Sequence, residues 1–235
     1  SDLDLMYKRI AAIDGVDAAT RYLSVNLDIK GEKNKSLALD VSENYTVSTF
    51  LVTDGAAYDA NGEGFWLSDK FAAANDYAIG DTLTLTYQGT EITGRIVGLI
   101  KSGEHMICVA DKNQLMPDYN TFGFAYISPK KLRGVVEEKV RNPAADELRE
   151  QGIPDETIND SVDELLKDGA MVDESMDQVF AQVNVISDMS KEDVEDAVKD
   201  ALERTIMVTP KDDHVVYKEA MGEAEEGKTM GSVLP

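Results

Sequence analysis

Between residues 23 and 41 the chain alternates apolar and polar side chains twice, and this period of two limits what it can fold into. Leu23, Val25, Leu27 and Ile29 fall on one side of a strand, with Ser24, Asn26 and Asp28 on the other. Leu37, Leu39 and Val41 resume the pattern after the polar stretch 31–36, which predicts a hairpin. A second hairpin is predicted where Leu83, Leu85 and Tyr87 alternate with threonines, turn at Gln88-Gly89 and return through 92–100. Further strands are expected at 106–109 and 122–127. Such a chain is built around sheet.

Helical periods flank these strands. Leu3, Met6, Ile10 and Ile13 recur at helical spacing and Gly15 closes the pattern. Ser68 stands as a cap for a short helix over 69–74. Ser128-Pro129 has the chemistry of a helix start, and Asn142-Pro143 repeats it, which predicts two helices with Gly152 closing the second. The acidic stretch 130–174 reads as a helical insert with a short seam through Val162, Leu165 and Leu166, ending at Asp168-Gly169. Val179, Ala181, Val183 and Val185 then alternate as a strand. Ser190 and Asp193 form a capping box before a helix bearing Val194, Ala197, Val198, Ala201 and Leu202, and a strand follows at 206–208 or 215–217. This βαβ-like end has the pattern of half a ferredoxin-like unit.

The fold expected is therefore α+β: a ferredoxin-like α/β subdomain formed by both chain ends (1–42 with 177–235), a β-rich subdomain (43–128) and an acidic helical insert (129–176). With 235 residues, 43% of them hydrophobic, the chain has enough apolar mass for such cores. No apolar run reaches the roughly 18 to 20 residues of a membrane span. The 45 acidic against 23 basic residues give a net charge of −22, a field that opposes nucleic acid and anionic headgroups. One cysteine excludes an internal disulfide, and Cys108, in the apolar run 106–110, reads as a small core residue.

Several patterns carry a chemical suggestion that their surroundings withdraw. Residues 222–229, GEAEEGKT, spell a phosphate-binding loop, yet Glu223, Glu225 and Glu226 place three negative charges where the anion would sit. Asp59, Asn61, Glu63 and Gly64 open like a calcium loop, but Lys70 occupies the position of the bidentate glutamate, and a turn bonding its own backbone accounts for the same residues. His105 and His214 lack the spacing of a zinc pair, and no nucleophile elbow or dinucleotide loop is present. No catalytic, cofactor-binding or metal residue is assigned. Phe65, Trp66 and Phe71 fall in strand and helix patterns as core, whereas Tyr119 and Phe122 flank a polar turn with Asp118 and Asn120 and are the candidate partner-binding residues.

The stretch 63–100 also resembles a family. Extracytoplasmic domains of FtsX/MacB-like ABC transporter permeases carry a pattern in which Phe71, Ala72, Gly80, Asp81, Leu83, Leu85, Gly94, Val97 and Gly98 of this chain find matching places. The last ten residues, EGKTMGSVLP, resemble the approach to the second membrane helix of such permeases. The resemblance implies a non-catalytic domain on the extracellular or periplasmic side of the cell membrane, between the first and second transmembrane helices and adjacent to the bilayer through both termini. Its partners would be the rest of the permease, a cytoplasmic ATPase, and a peptide, lipoprotein or cell-wall hydrolase. The first helix would continue a membrane helix, and both ends would leave on one side of the fold. The alternative is a stand-alone surface or secreted module binding a peptide or other small ligand.

Overall fold

The computed structural model of the chain describes residues 2–44, 47, 50–101, 118–199 and 205–211. The expected strand at 106–109 with Cys108, both histidines, residues 201 and 202, the strand at 215–217, the 222–229 sequence and the last ten residues lie outside the described residues.

The architecture is mixed α+β, with a nine-stranded mixed sheet and six α-helices among the described residues. In chain order these are α1 (Asp2–Ala11), β1 (Val16–Ile29), β2 (Ser36–Ser42), β3 (Val52–Gly55), β4 (Phe65–Ser68), α2 (Asp69–Ala74), β5 (Thr82–Tyr87) and β6 (Thr90–Ile100). There follow β7 (Phe122–Tyr126), α3 (Pro129–Glu150), α4 (Ile158–Leu166), α5 (Ala170–Val179), β8 (Gln182–Ser187), α6 (Lys191–Ala197) and β9 (Thr205–Thr209).

Six strands pair in a closed circuit: β1 with β2, β2 with β7, β7 with β4, β4 with β6, β6 with β5, and β5 back to β1. Closure leaves these strands no open edge within the ring. The alternation read from the sequence sets which side chains point inward. Leu27, Leu37, Leu39, Leu67, Leu83 and Leu85 are buried in the main core, while Thr82, Thr86, Asn26 and Asp28 lie on the other face and are exposed or half-exposed.

The fourteen-residue strand β1 belongs to two assemblies. Residues 22–29 pair within the ring, whereas residues 16–22 pair antiparallel with β8, which in turn pairs parallel with β9. A parallel pair requires a crossover, and α6 supplies it. Ser190 opens that helix as expected, its Oγ accepting the Asp193 N–H at 3.1 Å. Against this half-sheet pack Leu3, Met6 and Ile10 of α1, fully buried, which share one core with Val194 of α6 and with Val172 and Met176 of α5, a helix that lies on α1 and α3.

Helix α1 packs on β1 and β8 and places Leu3, Met6 and Ile10 in the main core, while Lys211, past β9, pairs with Asp17 near the start of β1 at 3.3 Å.

Other departures have local causes. Pro143 does not start a new helix: α3 runs unbroken through it for 22 residues. Burial of Val136 and Ala144 on either side of the proline holds the helix across the missing hydrogen bond. In α4 the seam is Ile158, Val162 and Leu166, and Leu165 is exposed. β8 begins at Gln182, because α5 continues to Val179. Ser68 makes no cap to α2; its buried Oγ instead accepts the N–H of Phe124 across the sheet at 3.1 Å.

Candidate functional site

The residues that carry the family resemblance make a corner of the ring. Gly80 holds a left-handed φ of 98°, and its N–H donates to the Ile96 carbonyl at 2.7 Å. Asp81 clamps the same turn through Oδ2, which accepts the Ala78 N–H at 2.8 Å, while its carbonyl accepts the Ile96 N–H at 2.9 Å. Phe71, Ala72, Leu83 and Leu85 are buried. Gly98 leaves room for Trp66: a Cβ there would sit 2.7 Å from Trp66 Cδ1. Trp66 Nε1 donates to the Ala56 carbonyl at 2.9 Å, and its ring packs, tilted against Phe50 and Tyr58, in a small cluster that includes Tyr126. These positions fix the fold and do not converge on an opening.

Asp59 Oδ1 accepts the Asn61 N–H at 2.9 Å, as the turn reading expects, whereas Glu63 pairs at 2.8 Å with Lys130 of α3, far along the chain. Among the described residues no group of three or more potential ligands is arranged to hold a metal ion.

Tyr119 and Phe122 sit on one turn, whose shape is set by Asp118: its Oδ1 accepts the Asn120 N–H at 3.1 Å and its carbonyl accepts the Phe122 N–H at 2.8 Å. The two rings diverge. Tyr119 packs on the main core, with the Lys70 ammonium 5.6 Å from its ring centroid, and its carbonyl accepts Asn75 Nδ2 at 2.9 Å. Phe122 lies edge-on to Phe124, ring centroids 5.4 Å apart. Both are half-exposed.

The arrangement with the most chemistry is the branch of β1. Tyr22 is paired with Ser42 of β2 and also with Gln182 of β8, so the ring and the β8–β9 half-sheet diverge at this residue. On one face Thr20, Asp40, Ser42 and Asn184 are all buried. Polar groups removed from water need partners, and these have them. The Asn44 N–H donates to Thr20 Oγ1 at 2.9 Å and to Ser42 Oγ at 3.2 Å, and the Tyr22 and Ser24 hydroxyls bond the Asp40 carboxyl.

Asp40 is 3% exposed. Burial pushes its carboxyl up to about 6, against the lowering effect of the Ser24 and Tyr22 hydrogen bonds. Tyr22, which also bonds Tyr126, is raised above the ordinary phenol range by burial and by the Asp40 charge.

On the opposite face of β1, Arg21 reaches three partners. It makes two contacts of 2.7 Å to Glu43, just past β2, a further ion pair to Asp177 of α5, and lies 5.3 Å from the Phe180 ring centroid. Burial opposes its charge, but the hydrogen bonds it donates to Glu43 and Asp177 outweigh that and hold the guanidinium above its usual range. The branch is thus clasped by charge on one face and by buried hydroxyls and one carboxyl on the other. Sequence reasoning missed it, because a polar residue at an alternating strand position reads as a solvent-facing one.

No family model matches the chain, and no curated protein matches it. Among solved structures it is similar to the extracellular domain of the noncanonic ABC-type transporter YknZ from Gram-positive bacteria, at 12% identity and a TM-score of 0.38 over 56% of this chain. The chain spans 65% of the length of that structure. It is also similar to the periplasmic region of MacB from Actinobacillus actinomycetemcomitans, at 12% identity and a TM-score of 0.33, over 84% of this chain and 82% of that one.

Proposed function

We propose that the chain is the extracytoplasmic domain of an ABC transporter permease, lying between its first and second transmembrane helices, and that it transmits conformational change and contacts substrate or partner proteins. The observation that carries this reading is the continuity of β1 through the branch at Tyr22: one strand is shared by the ring and by the β8–β9 half-sheet. A displacement applied to the half-sheet is carried into the ring along covalent backbone, through packed elements that move as units.

In this reading residues 1–42 and 177–235 form the part nearest the bilayer, 43–128 the distal β-rich part and 129–176 a surface insert. Tyr119 and Phe122 contact the partner. The chain itself does no chemistry, and ATP hydrolysis belongs to a cytoplasmic subunit. The net charge of −22 favours a cationic partner surface.

The test is a single cysteine at exposed Glu138, in a Cys108→Ser background of the parent protein, probed with a membrane-impermeant maleimide on intact cells. Labelling before lysis, on a protein that sediments with membranes, supports the reading. Labelling only after lysis overturns it, and so does recovery of the labelled protein in the medium, which is the outcome for a secreted binding module.

A further inference from the structure

Among the described residues Asp40 is the one buried carboxylate at the branch, and no ion pair there explains it. Its strand, β2, lies between β1 and β7, so that Ser24 and Tyr126 are its register neighbours. The groups that meet it from those strands are the Tyr22 and Ser24 hydroxyls of β1, with Tyr126 of β7 joined to the same network through Tyr22. Its own strand offers Ser42 on the same face. The charged neighbours Arg21 and Glu43 face the other way by strand alternation and are committed to each other. The carboxylate is therefore held by hydroxyl donors alone, without a countercharge among the described residues, and an ionised group so placed is disfavoured against its neutral form.

We propose that Asp40 is a proton-binding switch built into the branch of β1. One proton taken from solvent converts its carboxyl from an acceptor of the Tyr22 and Ser24 hydroxyls into a group that also donates within the same network. Loss of the buried charge tightens the β1–β2 ladder where the ring joins the half-sheet, and proton release loosens it. The burial-raised carboxyl places this exchange near pH 6. This goes beyond the permease reading and does not depend on it, because it is measured on the 235-residue chain in solution.

The experiment is a carbon-13 NMR titration of the Asp40 carboxyl, with hydrogen-exchange protection factors for the β1 and β2 amides at pH 5 and pH 7.5. The expected result is a midpoint near 6 and protection at pH 5 greater by about tenfold than at pH 7.5. Asp40→Asn should abolish that pH response. Tyr22→Phe, which removes one donor to the carboxylate, should move the midpoint upward. A midpoint in the ordinary carboxylate range, or an unchanged pH response in Asp40→Asn, overturns the proposal. If Asp40→Asn does not fold, an unmoved midpoint in Tyr22→Phe overturns it equally.

Discussion

Arg21 and Glu43 meet through two parallel contacts, Nε to Oε2 and Nη2 to Oε1, each 2.7 Å. The Arg21 side chain is 15% exposed, so the pair is poorly screened, and removing the guanidinium takes from Glu43 its two-point contact and from Asp177 one ion pair. Arg21→Ala should lower stability by about 2–3 kcal/mol in urea unfolding. Arg21→Lys should recover only part of this, since an ammonium cannot make the two-point contact.

Gly98 and Trp66 cannot both keep their places if a Cβ is added. Gly98→Ala should cost about 1–3 kcal/mol, the range for overpacking a close-fitted contact. Trp66 is the single tryptophan of the chain, so its fluorescence reports the site directly. Emission should move to longer wavelength as the indole loses its buried position and its bond to the Ala56 carbonyl.

Ser128 holds two segments at once. Its Oγ accepts the Lys131 N–H at 3.0 Å, capping α3, and donates to the Gly62 carbonyl at 2.6 Å. Ser128→Ala should lower the thermal midpoint by an amount equivalent to about 1–2 kcal/mol, from a lost cap and the lost bond to the Gly62 carbonyl.

Asp40 gives stability an unusual slope with pH. Its folded carboxyl holds a proton up to about 6, whereas the unfolded chain releases it near 3.8. Between those values the folded state binds more protons, so stability falls as pH rises, by a total on the order of 3 kcal/mol. The wild-type curve minus that of Asp40→Asn isolates this slope from the other carboxylates. At pH 7 the variant should be the more stable by about 1–3 kcal/mol.

Local patterns made part of this fold legible. The second half of β1, the β5–β6 hairpin, the Ser190 cap and the Asp168-Gly169 turn were readable because each is set by neighbours in sequence. The closure of the ring was not. Leu37 pairs with Gly123 and Trp66 with Tyr126, contacts between segments whose sequences carry no mark of each other. Residues 16–22 showed no alternation, since Thr20 and Ala19 are both buried and the strand is covered on each face. The same blindness hid the branch: Thr20, Asp40 and Ser42 look like solvent-facing residues until the pairing shows what encloses them. Pro143 misled in the other direction, because tertiary packing outweighed a local helix-breaking signal.

The coupling of the ring to the β8–β9 half-sheet through β1 is tested most directly by native-state hydrogen exchange along that strand. Amides of residues 18–22 and of residues 23–28 should share one opening free energy and respond together to denaturant. Separate opening of residues 18–22, with residues 23–28 still protected, would contradict it.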